Sequence, residues 1–546
     1  YDIKLNKDQE KIAQGIYSYI ENKSQGFGGV HLIHGITGSG KTEVYIDIIQ
    51  KVIEKGKEII VLIPEIALTY QTVMRFYRKF GDKVSIINSK LSAGERYDQF
   101  ERAKNGDIKI MIGPRSAVFT PFRNLGLIII DEEHEGSYKS ETSPRYHARE
   151  AAIFRAKNEG AAVVLGSATP AIDSYYKALT GEYNLYELKN RAKTSIPADV
   201  HIVDMRQELA MGNRTMFSAK LDELIKDRLD KKQQIMLFIN RRGYAGFVSC
   251  RECGKAMKCP HCDVGLTLHN NNKLICHYCG YEIAMPKTCP ECNSKYIAAF
   301  GTGTQKVEEA VKKMYPTART LRMDMDTTSK KDGYEKILSQ FSNGEADILI
   351  GTQMIVKGHD FPNVTLVGII AADLSLYASD YRSSEKTFQL LTQAEGRAGR
   401  GKLRGEAVIQ TYSPDNGSII AASKQDYTEF YNQEILYRTI SEYPPVVSLV
   451  AVQLTSKDEA LLDKLSIKIK ELIGKSGVDN KELRIIGPAN ANVARINDVY
   501  RKVIYIKCKE YKKLILVKDY IENCFEKMEE NKKASIQFDF NPMSGF

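Results

Sequence analysis

Nowhere does the 546-residue sequence hold a long apolar run free of charge, which excludes a membrane-spanning helix of the usual kind. It lacks the basic start, short apolar core and small-residue cleavage site of a secretory leader. It opens on Tyr1 rather than Met, so further residues are expected ahead of it. A large surplus of one charge is missing too. The 78 basic and 68 acidic residues leave a net charge of +10, which permits a polyanionic partner without requiring one. Cysteine is scarce outside one stretch: eight of the ten crowd between Cys250 and Cys292, and Cys508 and Cys524 stand apart. That distribution fits metal ligation better than disulfides. One core cannot serve a chain of this length, so three or four domains are expected.

What is present is organised around Gly35-Ile36-Thr37-Gly38-Ser39-Gly40-Lys41-Thr42. An apolar run of strand length, Val30 to His34, precedes it, and Val44, Ile48, Ile49, Val52 and Ile53 follow at helical spacing. A loop of this pattern between a strand and a helix cradles phosphate, because its glycines let backbone N–H groups approach and the helix start adds favourable charge. Lys41 is expected to reach the β- and γ-phosphates of ATP, and Thr42 to ligate Mg²⁺. Upstream, Gln9 is a candidate reader of adenine. A second motif, Leu127 to His134, delivers Asp131 and Glu132 from a run of continuous aliphatics. A strand buried on both faces needs such a run. Asp131 is expected to hold Mg²⁺, and Glu132 to orient and deprotonate the attacking water.

Strands are expected at 58–64, 83–89, 107–113, 125–131 and 161–166, alternating with helices as in a doubly wound parallel sheet. Their ends carry Pro64 to Thr69, Gly113 to Val118 and Gly166 to Pro170, where hydroxyls, amides and Arg115 suit a phosphodiester backbone. The loop from Glu135 to His147 interleaves Tyr138 and Tyr146 with Lys139 and Arg145, a composition suited to stacking bases and sensing a bound strand. A second alternating pattern occupies 233–239, 317–324, 347–351, 364–371 and 406–412 without a phosphate loop of its own. It carries Gly351 to Asp360, with Gly358, and Gln393 to Arg400. On a helix Arg397 and Arg400 would share a face, and as arginine fingers they would be worth roughly 10³–10⁵ in rate.

The set GITGSGKT, PEIALT, GPRSAV, DEEH, GSATP, FINRRGY, GTQMIVKGHDFPNV and QAEGRAGR resembles superfamily 2 helicases, and the cysteine block inside the second lobe is similar to that of the primosomal replication-restart helicases. The resemblance runs from about Leu5 to the end of the chain. It implies two tandem RecA-like lobes, and a 3′→5′ ATP-driven DNA helicase that recognises and remodels stalled or abandoned forks and initiates primosome assembly. By the same match Lys41, Thr42, Asp131, Glu132, Gly358, Gln393, Arg397 and Arg400 take the family's ATPase roles. Forked, single-stranded and duplex DNA, primosome and helicase-loading proteins and single-stranded DNA-binding protein are the implied partners of a monomer in the bacterial cytoplasm, at the nucleoid. The family's N-terminal fork-recognition domain and winged helix are expected to be missing from this sequence. Two rivals remain open: an RNA or duplex translocase that does not unwind, and an ATP-switched scaffold.

The cysteines form the pairs Cys250/Cys253, Cys259/Cys262, Cys276/Cys279 and Cys289/Cys292. Eight thiolates make two closed tetrahedral Zn²⁺ sites. Cys253 and Cys259 stand too close for their knuckles to face one ion, whereas Val264 to Ile275 reads as a hairpin with an Asn turn that folds the inner knuckles together. A nested arrangement follows, the inner four cysteines on one ion and the outer four on the other. Beyond Pro445 the order β-α-β-β-α-β predicts a ferredoxin-like α+β domain, with Asn490, Arg495, Arg501 and Lys502 as candidate DNA contacts. The expected domains are lobe 1 at 1–196, lobe 2 at 197–440 with the zinc module at 249–297, and the C-terminal domain at 441–546.

Overall fold

The computed structural model describes residues 4–22, 26–68, 70–190, 197–240, 246–299, 301, 303–328, 333–356, 361–399 and 403–545. Two compact units divide the chain, the first taking Tyr1–Ile196 and the second Pro197–Val356 with Phe361–Phe546. No helix among the described residues is long and apolar enough to cross a membrane.

The first unit is built on seven strands: β1 (Val30–Gly35), β2 (Glu58–Leu62), β3 (Val84–Ile86), β4 (Ile110–Gly113), β5 (Leu125–Asp131), β6 (Ala162–Ser167) and β7 (Asn184–Leu188). Every pairing is parallel, in the order β3-β4-β2-β5-β6-β1-β7. The central strands are buried on both faces, with Ile59 to Leu62 and Leu127 to Ile130 wholly inaccessible. Truncating one such residue to alanine costs about 2–5 kcal/mol. Helix α1 (Lys7–Asn22) lies against α2 (Lys41–Glu54), whose Val44, Ile48, Ile49 and Val52 are buried in the same core. Edge strand β7 carries no apolar signature, since four of its five residues are only partly buried or exposed, and the sequence pattern did not predict it.

In the second unit the strands β8 (Asp199–Asp204) and β9 (Gln234–Phe238) belong to the large sheet, but the chain then leaves it for the cysteine block. That block contains β10 (Val248–Cys250), β11 (Thr267–Leu268), β12 (Lys273–Ile275), β13 (Glu282–Ala284) and β14 (Ile297–Ala299). The two end strands, β10 and β14, pair antiparallel with Val248 opposite Ala299, so the module leaves and rejoins its host at one narrow neck. The sheet resumes with β15 (Thr320–Met323), β16 (Ile348–Gly351), β17 (Val364–Ile369) and β18 (Glu406–Thr411), in the parallel order β15-β16-β9-β17-β18-β8. Polar edge strand β8 again escaped the sequence pattern, each of its residues being only half-buried.

The C-terminal domain has β19 (Ser448–Ser456), β20 (Arg484–Ile496), β21 (Val499–Cys508) and β22 (Ala534–Phe540), in the antiparallel order β20-β21-β19-β22 with helices Glu459–Ile473 and Tyr511–Glu526. The ferredoxin-like expectation is met. Strand β20 runs through Pro488 to Ile496. Because β20 is an edge strand, a proline lacking its N–H removes no interior ladder bond, and the register shift between Ile486 and Ala489 absorbs the irregularity.

Candidate nucleotide site and metal centres

The loop after β1 is shaped by two glycines in the left-handed region, Gly38 and Gly40 (φ 79° and 81°). Gly40 stands at the N-terminus of α2 without a side-chain cap, so the first amides of that helix face the loop. A Cβ at Gly35 would come within 2.7 Å of Ser39 Oγ and 3.0 Å of Lys41 Cγ, which explains the glycine there. The Lys41 ammonium donates to Gly35 O at 2.9 Å. Ser39 Oγ is buried without a hydrogen-bond partner among the described residues. An anion cradle of backbone amides with a lysine beside it fits a polyphosphate. Gln9, the candidate reader of adenine, bonds to the loop's backbone: it is 3% exposed, and its amide donates to Ser39 O at 2.9 Å while its oxygen accepts from Asn6 N.

The carboxyl end of β5 lies on the same edge of the sheet, since every strand is parallel. Here Tyr45, one turn into α2, donates to Asp131 Oδ1 at 2.9 Å and so joins the loop's helix to the acidic strand. Sequence reading passed over Tyr45 because it sits on the apolar stripe of α2. Gly166 is the clue to it, for a Cβ there would fall 1.6 Å from the Tyr45 hydroxyl oxygen. Burial and the neighbouring Glu132 carboxylate push Asp131 up to about 6, with Lys41 and the Tyr45 hydrogen bond opposing them. Glu132 itself has φ 47°, a left-handed backbone for a residue with a full side chain. Such geometry costs of order 1–3 kcal/mol and gathers at functional sites.

The next two residues of the motif reach β6. Glu133 accepts from Arg149 Nη1 (3.0 Å), Ser174 Oγ (2.7 Å) and Ala171 N (2.7 Å), and is 1% exposed. His134 Nδ1 lies 2.6 Å from Ser167 Oγ, which accepts from Thr169 N. The acidic strand end and the Ser167–Thr169 turn are therefore one bonded unit, and Arg149 is a member that no local spacing announced.

The loop between Glu135 and His147 departs from expectation at its first aromatic. Tyr138 is 1% exposed, its hydroxyl 2.6 Å from Asp131 O and 3.0 Å from Leu62 O, so it braces β5 and offers no face to a base. A tyrosine in a turn can be buried by tertiary contact that sequence does not reveal. In the second unit the helix Ser383–Glu395 carries Gln393, but Gly396 caps it and Arg397 lies in the turn beyond. Arg397 thus lies beyond the helix end, and Arg400 and Gly358 lie outside the described residues. Of the candidate DNA contacts in the last domain, Lys502 pairs with Asp463 and Arg495 with Asp498, Arg501 donates to Val493 O, and the Asn490 carbonyl faces His277 Nδ1.

The cysteines group as Cys250, Cys253, Cys289 and Cys292, and as Cys259, Cys262, Cys276 and Cys279, the nested arrangement. The Sγ atoms of Cys250 and Cys292 lie 3.7 Å apart, and those of Cys259 and Cys279 3.6 Å apart. Four sulfurs at 2.3 Å from one tetrahedral zinc stand roughly 3.8 Å from each other, so both clusters fit the ion. Strands β11 and β12 form the hairpin between the inner knuckles, turning at Asn272 (φ 59°). His277 is not a ligand: its Nε2 faces His269 Nε2 at 3.0 Å.

Four family models match the chain: type III restriction enzyme, res subunit, over 2–172; helicase conserved C-terminal domain over 291–402; PriA DNA helicase Cys-rich region domain over 259–283; and primosomal protein N C-terminal domain over 440–543. The replication restart protein PriA of Bacillus subtilis is 49% identical over 94% of this chain and 64% of its own length. Those of Chlamydia muridarum and Rickettsia felis are 41% and 38% identical, over 94% and 87% of this chain and 68% and 73% of theirs. The chain spans less than two thirds of the Bacillus protein.

Proposed function

The chain belongs to the replication restart protein PriA family, and we propose that it is an ATP-dependent DNA helicase. Its movement is 3′→5′, its substrates are stalled or abandoned forks with their single-stranded and duplex arms, and its outcome is primosome assembly. It acts as a monomer at the nucleoid, with helicase-loading proteins and single-stranded DNA-binding protein as partners. The observation that carries this reading is the meeting of Lys41, Tyr45 and Asp131 at one sheet edge.

In this reading the amides of the loop and the Lys41 ammonium hold the β- and γ-phosphates of ATP, while Gln9 keeps the loop's shape on the adenine side. Thr42 and Asp131 would hold Mg²⁺, which would supply positive charge against the phosphate oxygens. Glu132 orients the attacking water and accepts its proton. By the same family reading, Gly358, Gln393, Arg397 and Arg400 take the remaining ATPase roles, the arginines as candidates to stabilise charge on the transferring phosphoryl group. The two four-cysteine zinc sites leave no ligand position open and serve structure.

The test is the ATPase rate with no nucleic acid, single-stranded DNA, forked DNA or RNA, for the parent chain and Glu132→Gln. Hydrolysis that DNA stimulates, and that falls at least 10²-fold in Glu132→Gln, is expected from loss of a general base. Hydrolysis indifferent to DNA overturns the reading.

A further inference from the structure

Position 45 belongs to the apolar stripe of α2, with Val44, Ile48, Ile49 and Val52, and Tyr45 is 1% exposed. A phenylalanine would serve that packing, so the hydroxyl is the part of Tyr45 that packing leaves unexplained. The sheet beneath makes room for this one oxygen. Gly166 of β6 lies opposite Asp131 of β5 in the parallel register. The three atoms nearest to a Cβ at position 166 all belong to Tyr45: Oη at 1.6 Å, Cζ at 2.8 Å and Cε1 at 3.4 Å. Gly166 does not have the positive φ that favours glycine, so the phenol, and not the backbone, is what excludes a side chain there.

The oxygen seated in this notch donates to Asp131 Oδ1 at 2.9 Å. Thr42 stands three residues before Tyr45, on the first turn of the same helix. One hydrogen bond therefore ties the helix that carries Thr42 to the strand end that carries Asp131, the two residues read above as ligands of Mg²⁺.

We propose that Tyr45 is a positioning residue of the nucleotide site: its hydroxyl, seated in the notch at Gly166, fixes the Asp131 carboxylate relative to Thr42 and so sets the affinity for the divalent cation that accompanies the nucleotide. A side chain that hydrogen-bonds a ligating carboxylate orients it, and loss of such a partner typically lowers metal affinity roughly 10–100-fold. The inference rests on the reading of Gly35–Thr42 with Asp131 as an ATP and Mg²⁺ site.

The experiment compares the full chain with Tyr45→Phe, Gly166→Ala and the double variant. It measures Mn²⁺ binding in the presence of ADP, from the electron paramagnetic resonance of the free ion, and binding of a fluorescent ADP analogue without metal. Tyr45→Phe is expected to raise the Mn²⁺ dissociation constant at least tenfold. Metal-free ADP binding should stay within about twofold, since the loop amides and Lys41 are untouched. Gly166→Ala drives the phenol from its notch and should reproduce the loss. The double variant should lie within about threefold of either single one, because both remove the same bond. If Gly166→Ala fails to fold, Tyr45→Phe carries the test alone. Unchanged Mn²⁺ affinity in Tyr45→Phe, or an equal loss of metal-free ADP binding, overturns the positioning role. A parent chain that binds no Mn²⁺ with ADP overturns the nucleotide-site reading itself, and the role with it.

Discussion

The two zinc sites share one chemistry and differ in what surrounds them. Three of the four inner ligands are buried, whereas outer ligand Cys292 is exposed and Cys253 half-buried. Around the inner site, the buried Tyr443 donates to Cys262 O at 3.0 Å and stacks on Tyr381 at 4.6 Å. Tyr278, between Cys276 and Cys279, accepts from Tyr381 N. Lys507 of β21 lies 3.7 Å from the Tyr443 ring centroid and donates to Ser441 O. Behind Tyr381, Arg438 bridges Glu385 and Glu434, wholly buried. The inner ion thus sits at a joint of module, lobe and C-terminal domain. The outer site meets the lobe through Arg206, at 3.4 Å from Cys253 O. One ion fastens three bodies; the other ties the neck of one.

The comparison breaks most visibly at Cys262→Ser. Loss of the inner ion should lower stability by several kcal/mol, because structural zinc binding is itself folding free energy. The fall in calorimetric Tm should exceed that of Cys292→Ser, with one zinc remaining per chain in each; equal falls would mean that the joint adds nothing. A subtler discrimination is kinetic. A chelator with an alkylating reagent should release one ion first and label Cys292 and Cys253 before the inner four, read by mass spectrometry; simultaneous release would erase the difference. The smallest effect belongs to Tyr443→Phe, which keeps the ring and removes one hydroxyl. A loss of about 1 kcal/mol is expected, with both zinc ions retained, and denaturant melts would measure it.

Legibility followed the same division between local and distant causes. The phosphate loop and the cysteine pairs were readable because their chemistry lies in short spacings: Gly38 and Gly40 shape the loop wherever it occurs, and the Asn272 turn alone brings the inner knuckles together. Tyr138 was misread because its burial depends on Leu62 of β2, 76 residues earlier in the chain, as well as on the end of β5. That Arg397 falls beyond its helix follows from the cap at Gly396. Strands β7 and β8 are edges with half-wet faces, so they lack the aliphatic runs that betray central strands. The strain at Glu132 has no signature in residue type at all.

The pairing of β10 with β14 bears on how the second lobe folds. Between β9 and β15 lies a long excursion, and closing a flexible loop costs entropy that grows as (3/2)RT ln n. Once Val248 to Cys250 has zipped onto Ile297 to Ala299, with Cys250 and Cys289 bound to the same ion, the sheet has only the residues outside the neck left to close, the helix Thr304–Met314 among them. Shortening a loop of about eighty residues to about thirty in that expression removes about 1 kcal/mol of closure cost. Metal at the outer site therefore acts at a distance: by closing the neck it shortens the loop that must close before β9 and β15 join one sheet.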